Sequence, residues 1–298
     1  MLKQHYLKEK TFSIVILYNV NDSILNKLDV NAAEIDNIIL VDNSSVSNQQ
    51  KIEKLAYKNK HYIFNEKNLG IAESLNIGVK KALLVGAEFL LLLDQDSVLT
   101  ENYIEKMYSV FSSYPNRERI AIVAPKYIDE DSGEVSSFAE IHSDEVQSVL
   151  ITMTSGNFLP VEIFKKVGYF DSSYFIDYVD NEFCLRCKKA GYEILEAQNV
   201  YLKHKLGESK NYKFLNKTPI STNHPPLRRY YIFRNRVFLY KKYFFSFTKW
   251  ILTDITHCFK EIVKIFLFEE QKFLKLAYII LGLYHGLIHK SGPHPKQK

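Results

Sequence analysis

Apolar runs alternate with amphipathic stretches through the first hundred positions of the chain. Phe12-Ser13-Ile14-Val15-Ile16-Leu17-Tyr18, Asn37-Ile38-Ile39-Leu40-Val41, His61-Tyr62-Ile63-Phe64-Asn65 and Glu88-Phe89-Leu90-Leu91-Leu92-Leu93 read as strands. The near-continuous apolar character of the last predicts a strand buried on both faces. Between them, Asp22 to about Val30, Val46 to Lys58 and Ile71 to Val85 read as helices. In the last of these, Ile71, Leu75, Val79 and Leu83 form one stripe. Strand–helix alternation of this kind predicts an α/β fold of βαβ units, with a mostly parallel sheet. Right-handed crossovers place helices on both faces.

Beyond Thr100 the pattern loosens. Thr100 to Ser112 reads as a helix with Thr100 as its N-cap, and Ile120 to Pro125 as a strand. Residues 126–148 are polar and irregular, a loop or hairpin over the site. Val149 to Phe158 is strand-like and ends in Ser155-Gly156-Asn157. Asp180 to Ala190 reads as a helix stopped by Gly191, and Asn199 to Leu202 as a strand just before His204. At Pro225-Pro226 the character turns basic and aromatic, which sets a boundary between a domain at 1–224 and a helical extension at 225–298. The apolar run from Ala277 to Ile288 is too short to span a bilayer. It fits an interfacial amphipathic helix, or a helix packing on the protein or on a second subunit of a homodimer.

An apolar fraction of 46% and a charged fraction of 24% are ordinary for a globular chain. Charge changes the picture more. The net +5 divides into +10 from residue 225 onward and −5 before it. Such asymmetry directs the tail to an anionic surface, membrane or nucleic acid; no helix-turn-helix, RRM or OB signature supports nucleic acid. The first ten residues lack the apolar core of a secretory signal, and three cysteines give no disulfide framework, so a cytoplasmic protein is expected. Cys184 and Cys187 have C-x-x-C spacing without a second pair, and His285 and His289 lack a third ligand; neither reads as a metal site.

The candidate chemistry gathers at strand ends. Asp94-Gln95-Asp96 directly follows the most apolar strand, and in open α/β sheets ligands bind at the carboxyl ends of strands. Two hard oxygen ligands there suit a divalent cation that grips a phosphate. Asp42-Asn43-Ser44-Ser45 follows another strand, able to bond a nucleoside or to form an Asx-turn. Asn68-Leu69-Gly70 opens a helix where the backbone can approach a ligand; neither G-x-G-x-x-G nor a Walker motif is present. Asp177, Asp180 and Glu182 stand at a predicted helix start, as dipole-favoured carboxylates or as a general base, and Arg186 is spaced to pair with Glu182.

Together these residues resemble glycosyltransferase family 2, the inverting nucleotide-sugar transferases of the GT-A fold, over roughly residues 12–240. The resemblance runs through Val41 to Ser45, Asn68 to Ala72, Leu92 to Ser97, Phe175 to Arg186 and Arg229 to Asn235, and is nearest to bacterial rhamnosyltransferases. It implies a donor site of Asp42, Asn43, Asn68, Gly70, Asp94 and Asp96, with Asp42 on the nucleoside. Arg228, Arg229 and Arg234 either add cationic support for the diphosphate or form a solvated basic face. It implies Mg²⁺ or Mn²⁺ held by Asp96 with Asp94 and His204. Asp180 is implied as the catalytic base; because Val179-Asp180 stands where many members carry Glu-Asp, Asp177 and Glu182 remain rivals. The implied donor is dTDP-L-rhamnose, or a UDP-sugar. The implied acceptor is a glycan or polyprenyl-linked precursor met at the inner face of the plasma membrane. A non-catalytic nucleotide-sugar-binding subunit is the further alternative.

Overall fold

The computed structural model describes residues 2–130, 132–139, 146–204, 210–211 and 220–295. They form two compact units: residues 1–172 with 180–205, and residues 173–179 with 206–298.

The first unit follows the alternation of the sequence. In order it contains α1 (Leu2–Lys10), β1 (Thr11–Leu17), α2 (Asp22–Asn31), β2 (Asn37–Asp42), α3 (Gln49–Ile52), β3 (Asn59–Phe64), α4 (Ile71–Leu84), β4 (Phe89–Asp94) and β5 (Val98–Leu99). Next come α5 (Tyr103–Ser113), β6 (Ile120–Asp129), β7 (Val135–Ser136), β8 (Val146–Ser148), β9 (Phe158–Pro160), α6 (Glu162–Val167), α7 (Val179–Lys189) and β10 (Glu193–His204). The main sheet path is β3-β2-β1-β4-β9-β6-β10-β5. The pairs β3-β2, β2-β1, β1-β4 and β6-β10 are parallel, while β9 is antiparallel to both its neighbours. Residues 14–17 and 38–41 are buried throughout, as strands covered on both faces require.

Register fixes the site. Leu17 pairs with Asp42 on one side of β1, and Ile16 with Asp94 on the other. The two acidic strand ends therefore flank the carboxyl end of β1. Strand β10 runs much longer than the four residues its sequence predicts, and reaches His204 through a register shift between Glu196 and Tyr201. Opposite that shift stands Pro125, which has no N–H to give a ladder; prolines inside sheets belong at such irregularities.

Three expected elements differ. Between Val46 and Lys58 only the four residues of α3 are helical, because the side chain of Asp42 holds the backbone before them in a turn. Thr100 does not cap α5; its hydroxyl donates to the Tyr201 carbonyl at 2.8 Å, and the helix starts after Asn102, which has φ 56°. The stretch Val149 to Asn157 is not a strand. It lies along β4 as an irregular loop, where Gly156 N–H donates to the Leu92 carbonyl and the Leu92 N–H to that of Asn157.

The second unit holds α8 (Pro226–Tyr243), α9 (Thr248–Phe268) and α10 (Lys272–Leu287). Helix α10 packs closely on α8. A Cβ at Gly282 would lie 2.5 Å from the Tyr230 carbonyl oxygen, and one at Gly286 would lie 2.6 Å from Val237 Cβ. His285 Nδ1 and the Tyr230 hydroxyl are 2.8 Å apart, and His289 stacks obliquely near Phe238. So part of the apolar run 277–288 serves this contact, while Ile280, Leu283, Tyr284 and Leu287 remain exposed. Within the same unit, the Asn235 side-chain amide donates to the carbonyls of Tyr174, Ile176 and Asp177 at 2.7–2.8 Å. It thereby holds a segment in which Phe175, Asp177 and Tyr178 all have positive φ. Among the described residues, no helix is long and apolar enough to cross a membrane.

Candidate active site

The apolar strand β4 delivers Asp94 at its last position, and the turn that follows presents Asp96. Both carboxylates are about half exposed. His204, at the end of β10, is the third member: its Nε2 is 3.8 Å from Asp94 Oδ2 and its Nδ1 3.8 Å from Asp96 Oδ1. One ligand atom from each of the three lies within 4.8 Å of the others. Two hard carboxylate oxygens and one imidazole nitrogen, open to solvent on one side, suit a divalent cation that keeps further coordination positions for a phosphate.

A line of hydroxyls supports this group. The Asp94 N–H donates to Ser155 Oγ at 2.9 Å; Ser155 Oγ and Ser97 Oγ are 2.9 Å apart; Ser97 Oγ and His204 Nδ1 are 2.9 Å apart. With Nδ1 engaged by Ser97, Nε2 is the nitrogen left facing Asp94. Gln95, between the two acids, accepts from the Tyr18 N–H and donates to the Tyr18 carbonyl. The turn is thus tied to the end of β1. Gln95 and Ser97 lie within the Leu92 to Ser97 segment and Ser155 outside it, and the sequence assigns none of the three a role; their position beside charged neighbours reveals them.

Asp42 is fully buried. One oxygen accepts from the Ser44 N–H, and the other from the Tyr62 hydroxyl and from the backbone and side-chain N–H groups of Asn48. Burial works against its charge, but the donors from Tyr62, Ser44 and Asn48 outweigh it and hold the carboxyl below its usual range. The Asx-turn reading of Asp42 therefore describes its contacts here. Asn43 ties the neighbouring loops: its amide donates to the Gly70 carbonyl, and its oxygen accepts from Asn65 and Ser74. Asn68 accepts from the Gly70 N–H at 2.8 Å. Gly70 has φ 82°, which only glycine adopts freely, and leads into α4.

Asp180 lies in the first turn of α7, half-buried, with one oxygen accepting from the Asn181 N–H. Its relation to Asp94 is registered by Tyr127. This buried hydroxyl is pushed up chiefly by burial, and the charges of Asp180 and Asp94 both add to the rise. The same hydroxyl donates to the Ser155 carbonyl at 3.0 Å. Asn157, whose Oδ1 is buried without a hydrogen-bond partner, shares a small void with Asp180. Glu182, the first rival base, is fully buried and paired through both oxygens with Arg186, as the i,i+4 spacing predicts. Cys184 and Cys187 are buried free thiols.

The remaining predicted residues belong to the second unit. Asp177, the other rival, is paired with Arg228 at 3.0 Å; burial pushes its carboxyl up, against the pull of that arginine. Arg229 and Arg234, read as support for the diphosphate or as a solvated basic face, are instead fully buried. Arg229 meets Glu261 and Glu269, and Arg234 meets the carbonyls of Gly292, Ser173 and Tyr174 beneath the rings of Tyr230 and Tyr231. Long arginine side chains with five donors each are well suited to such internal bracing, and nothing in their sequence spacing separates that use from phosphate binding.

Known proteins share this framework. Among solved structures, the chain superposes on GalNAc-T7 crystallised with UDP, GalNAc and Mn²⁺ with a TM-score of 0.59 at 15% identity, covering 81% of this chain and 49% of that one. It also superposes on TarS of S. aureus with a TM-score of 0.53 at 16% identity, covering 95% of this chain and 44% of that one. It thus spans about half the length of those two solved chains, and the likeness establishes the GT-A-like fold. At the level of sequence, "dTDP-rhamnosyl transferase RfbF" of Shigella flexneri is 32% identical over 251 residues, 79% of this chain and 81% of that protein. The profile described as "Glycosyl transferase family 2" matches residues 13–167, which include every acidic strand end from β1 to β4. With the profile covering residues 13–167 and the relative 32% identical across most of both chains, the chain belongs to glycosyltransferase family 2.

Proposed function

We propose that the protein transfers L-rhamnose from dTDP-β-L-rhamnose, with inversion, onto a hydroxyl of a lipid-linked glycan precursor at the cytoplasmic leaflet. The observation that carries the choice of sugar is the 32% identity to a dTDP-rhamnosyl transferase across most of both chains. In this reading Asp180 accepts the proton of the attacking acceptor hydroxyl, since a carboxylate near the reacting group can act as general base. Asp94, Asp96 and His204 would hold Mg²⁺ or Mn²⁺, which would supply charge neutralisation for a nucleoside diphosphate. Ser97 and Ser155 fix the orientation of His204 and of the Asp94 backbone. Asp42 acts through the loop it shapes, and Asn43, Asn68 and Gly70 set the entrance to α4, where helix N–H groups favour an anion. Exposed apolar residues and lysines of the C-terminal helices meet the membrane surface.

Calorimetry and product analysis test this reading together. dTDP should bind at least as tightly as UDP or GDP, and dTDP-rhamnose should be hydrolysed or transferred in preference to UDP-sugars. A clear preference for UDP would replace rhamnose by a galactosyl- or glucosyl-type donor. Retained nucleotide binding without turnover of any donor would make the chain a binding subunit.

A further inference from the structure

The second unit carries a cationic cleft that the reading above does not use. Arg229 and Arg236 from α8, and His257, Lys260, Glu261 and Lys264 from α9, line a cavity of about 410 Å³. Glu261 is the one carboxylate among these, and it is shared by Arg229 and Arg236. Glu269, the second partner of Arg229, is also bound by Lys275 at 2.8 Å. Arg229 is fully buried, yet its Nε–H has no hydrogen-bond partner. Buried donors are nearly always satisfied, so this guanidinium, whose other nitrogens meet Glu261, Glu269 and Thr222, keeps one donor unused just behind the cleft. Lys260 is exposed and has no ion pair among the described residues. The positive field reaches His224, whose imidazole is pushed down to about 3 by burial first and then by Arg228, Arg229 and Lys275, with Glu269 opposing.

The surroundings say what kind of anion fits. On α9, the exposed His257 and Lys260 and the half-buried Lys264 recur at i, i+3 and i+7 along one flank. Phe259, Val263 and Phe266 recur at i, i+4 and i+7 along another, each about half exposed or more. Ile251 and Ile265 occupy the buried side. A free phosphate needs only the first flank. An amphiphile with a phosphate head and a hydrocarbon chain would use both.

We propose that this cleft binds the phosphate or diphosphate headgroup of a lipid, whose hydrocarbon lies along the apolar flank of α9. The inference rests on the reading above in taking that lipid to be the carrier of the acceptor. Guanidinium forks and ammonium groups are the natural partners of terminal phosphate oxygens.

Vesicle binding of the full chain tests it. Vesicles containing phosphatidic acid, which presents a terminal phosphate, are compared with phosphatidylglycerol vesicles of equal surface charge, and soluble pyrophosphate is titrated separately. The wild type should prefer phosphatidic acid. Lys260→Glu should weaken that binding by about tenfold or more, the loss of one charge-assisted contact, and Lys264→Glu should do the same. Lys249→Glu, an equal charge reversal on the same helix outside the cleft, should lower binding to both vesicles alike and keep the preference. Equal binding to the two lipids, or equal effects of Lys249→Glu and Lys260→Glu, would overturn the proposal. Saturable pyrophosphate binding without preference for phosphatidic acid would overturn its lipid part and leave a site for soluble phosphate. Hydrolysis of dTDP-rhamnose is read on the same variants: its absence in the wild type refutes the transferase reading and leaves the headgroup site standing, while normal hydrolysis with no headgroup preference does the reverse.

Discussion

Gln95 carries no charge, yet it decides where two charges stand. Its amide bonds both backbone groups of Tyr18, so Asp94 and Asp96 are referenced to the end of β1. Ser97 does the same for the ring of His204. Removal of such outer partners typically costs about 10–100-fold in metal affinity. Ser97→Ala should therefore weaken Mn²⁺ binding by that order, as measured by calorimetry or paramagnetic relaxation, while the folded state persists. Asp180→Asn should lower turnover by about 10²–10⁴-fold, the usual contribution of general base catalysis, with dTDP affinity nearly unchanged because the base serves the acceptor. Wild-type turnover in a folded Asp180→Asn variant would remove the assignment. Asp94, Asp96 and the Glu182–Arg186 pair were legible because charge at a fixed spacing has few uses. Ser97, Ser155 and Tyr127 were not, since a hydroxyl gives no signal until the fold brings it beside a partner. Arg229 and Arg234 misled for the opposite reason: an arginine signals an anion but not which one.

Among the elements, β1 to β4 and α4 were legible from hydrophobic period alone. Residues 46–58 were not, because the hydrogen bonds that Asp42 makes compete with helix formation and win. The first half of β10, from Glu193 to Gln198, was missed because its ladder tolerates a register shift that breaks strict alternation. The contact of α10 with α8 makes a further test. Gly282→Ala would gain helix propensity in isolation, roughly 1 kcal/mol. Here its Cβ would meet the Tyr230 carbonyl, and overpacking of that kind costs about 1–3 kcal/mol. The variant should melt lower than the wild type in a thermal scan. A higher melting temperature for Gly282→Ala would show that the two helices separate easily.

For the whole molecule, charge and pH give the broad predictions. The chain is acidic before residue 225 and basic after it, and each Lys or Arg near an anionic leaflet contributes about 1 kcal/mol. Flotation with anionic vesicles should recover the protein at low salt and lose it at high salt; equal recovery with neutral vesicles would leave only apolar attachment. His224, neutral when folded and pushed down to about 3, takes up its proton only on unfolding as pH falls from its ordinary value near 6.5. Stability should decline through that window, and a His224→Gln variant should decline less. Asn235 has the widest reach. Its amide, far along the chain in α8, holds the carbonyls of residues 174, 176 and 177, and the chain then passes through Val179 directly into Asp180. A protein shortened to its first 224 residues would thus keep the strands that present Asp94 while losing the splint on the segment leading into the proposed base. It should still bind nucleotide and fail to transfer sugar, and transfer by the shortened protein would show that composition and chemistry divide this chain at the same place.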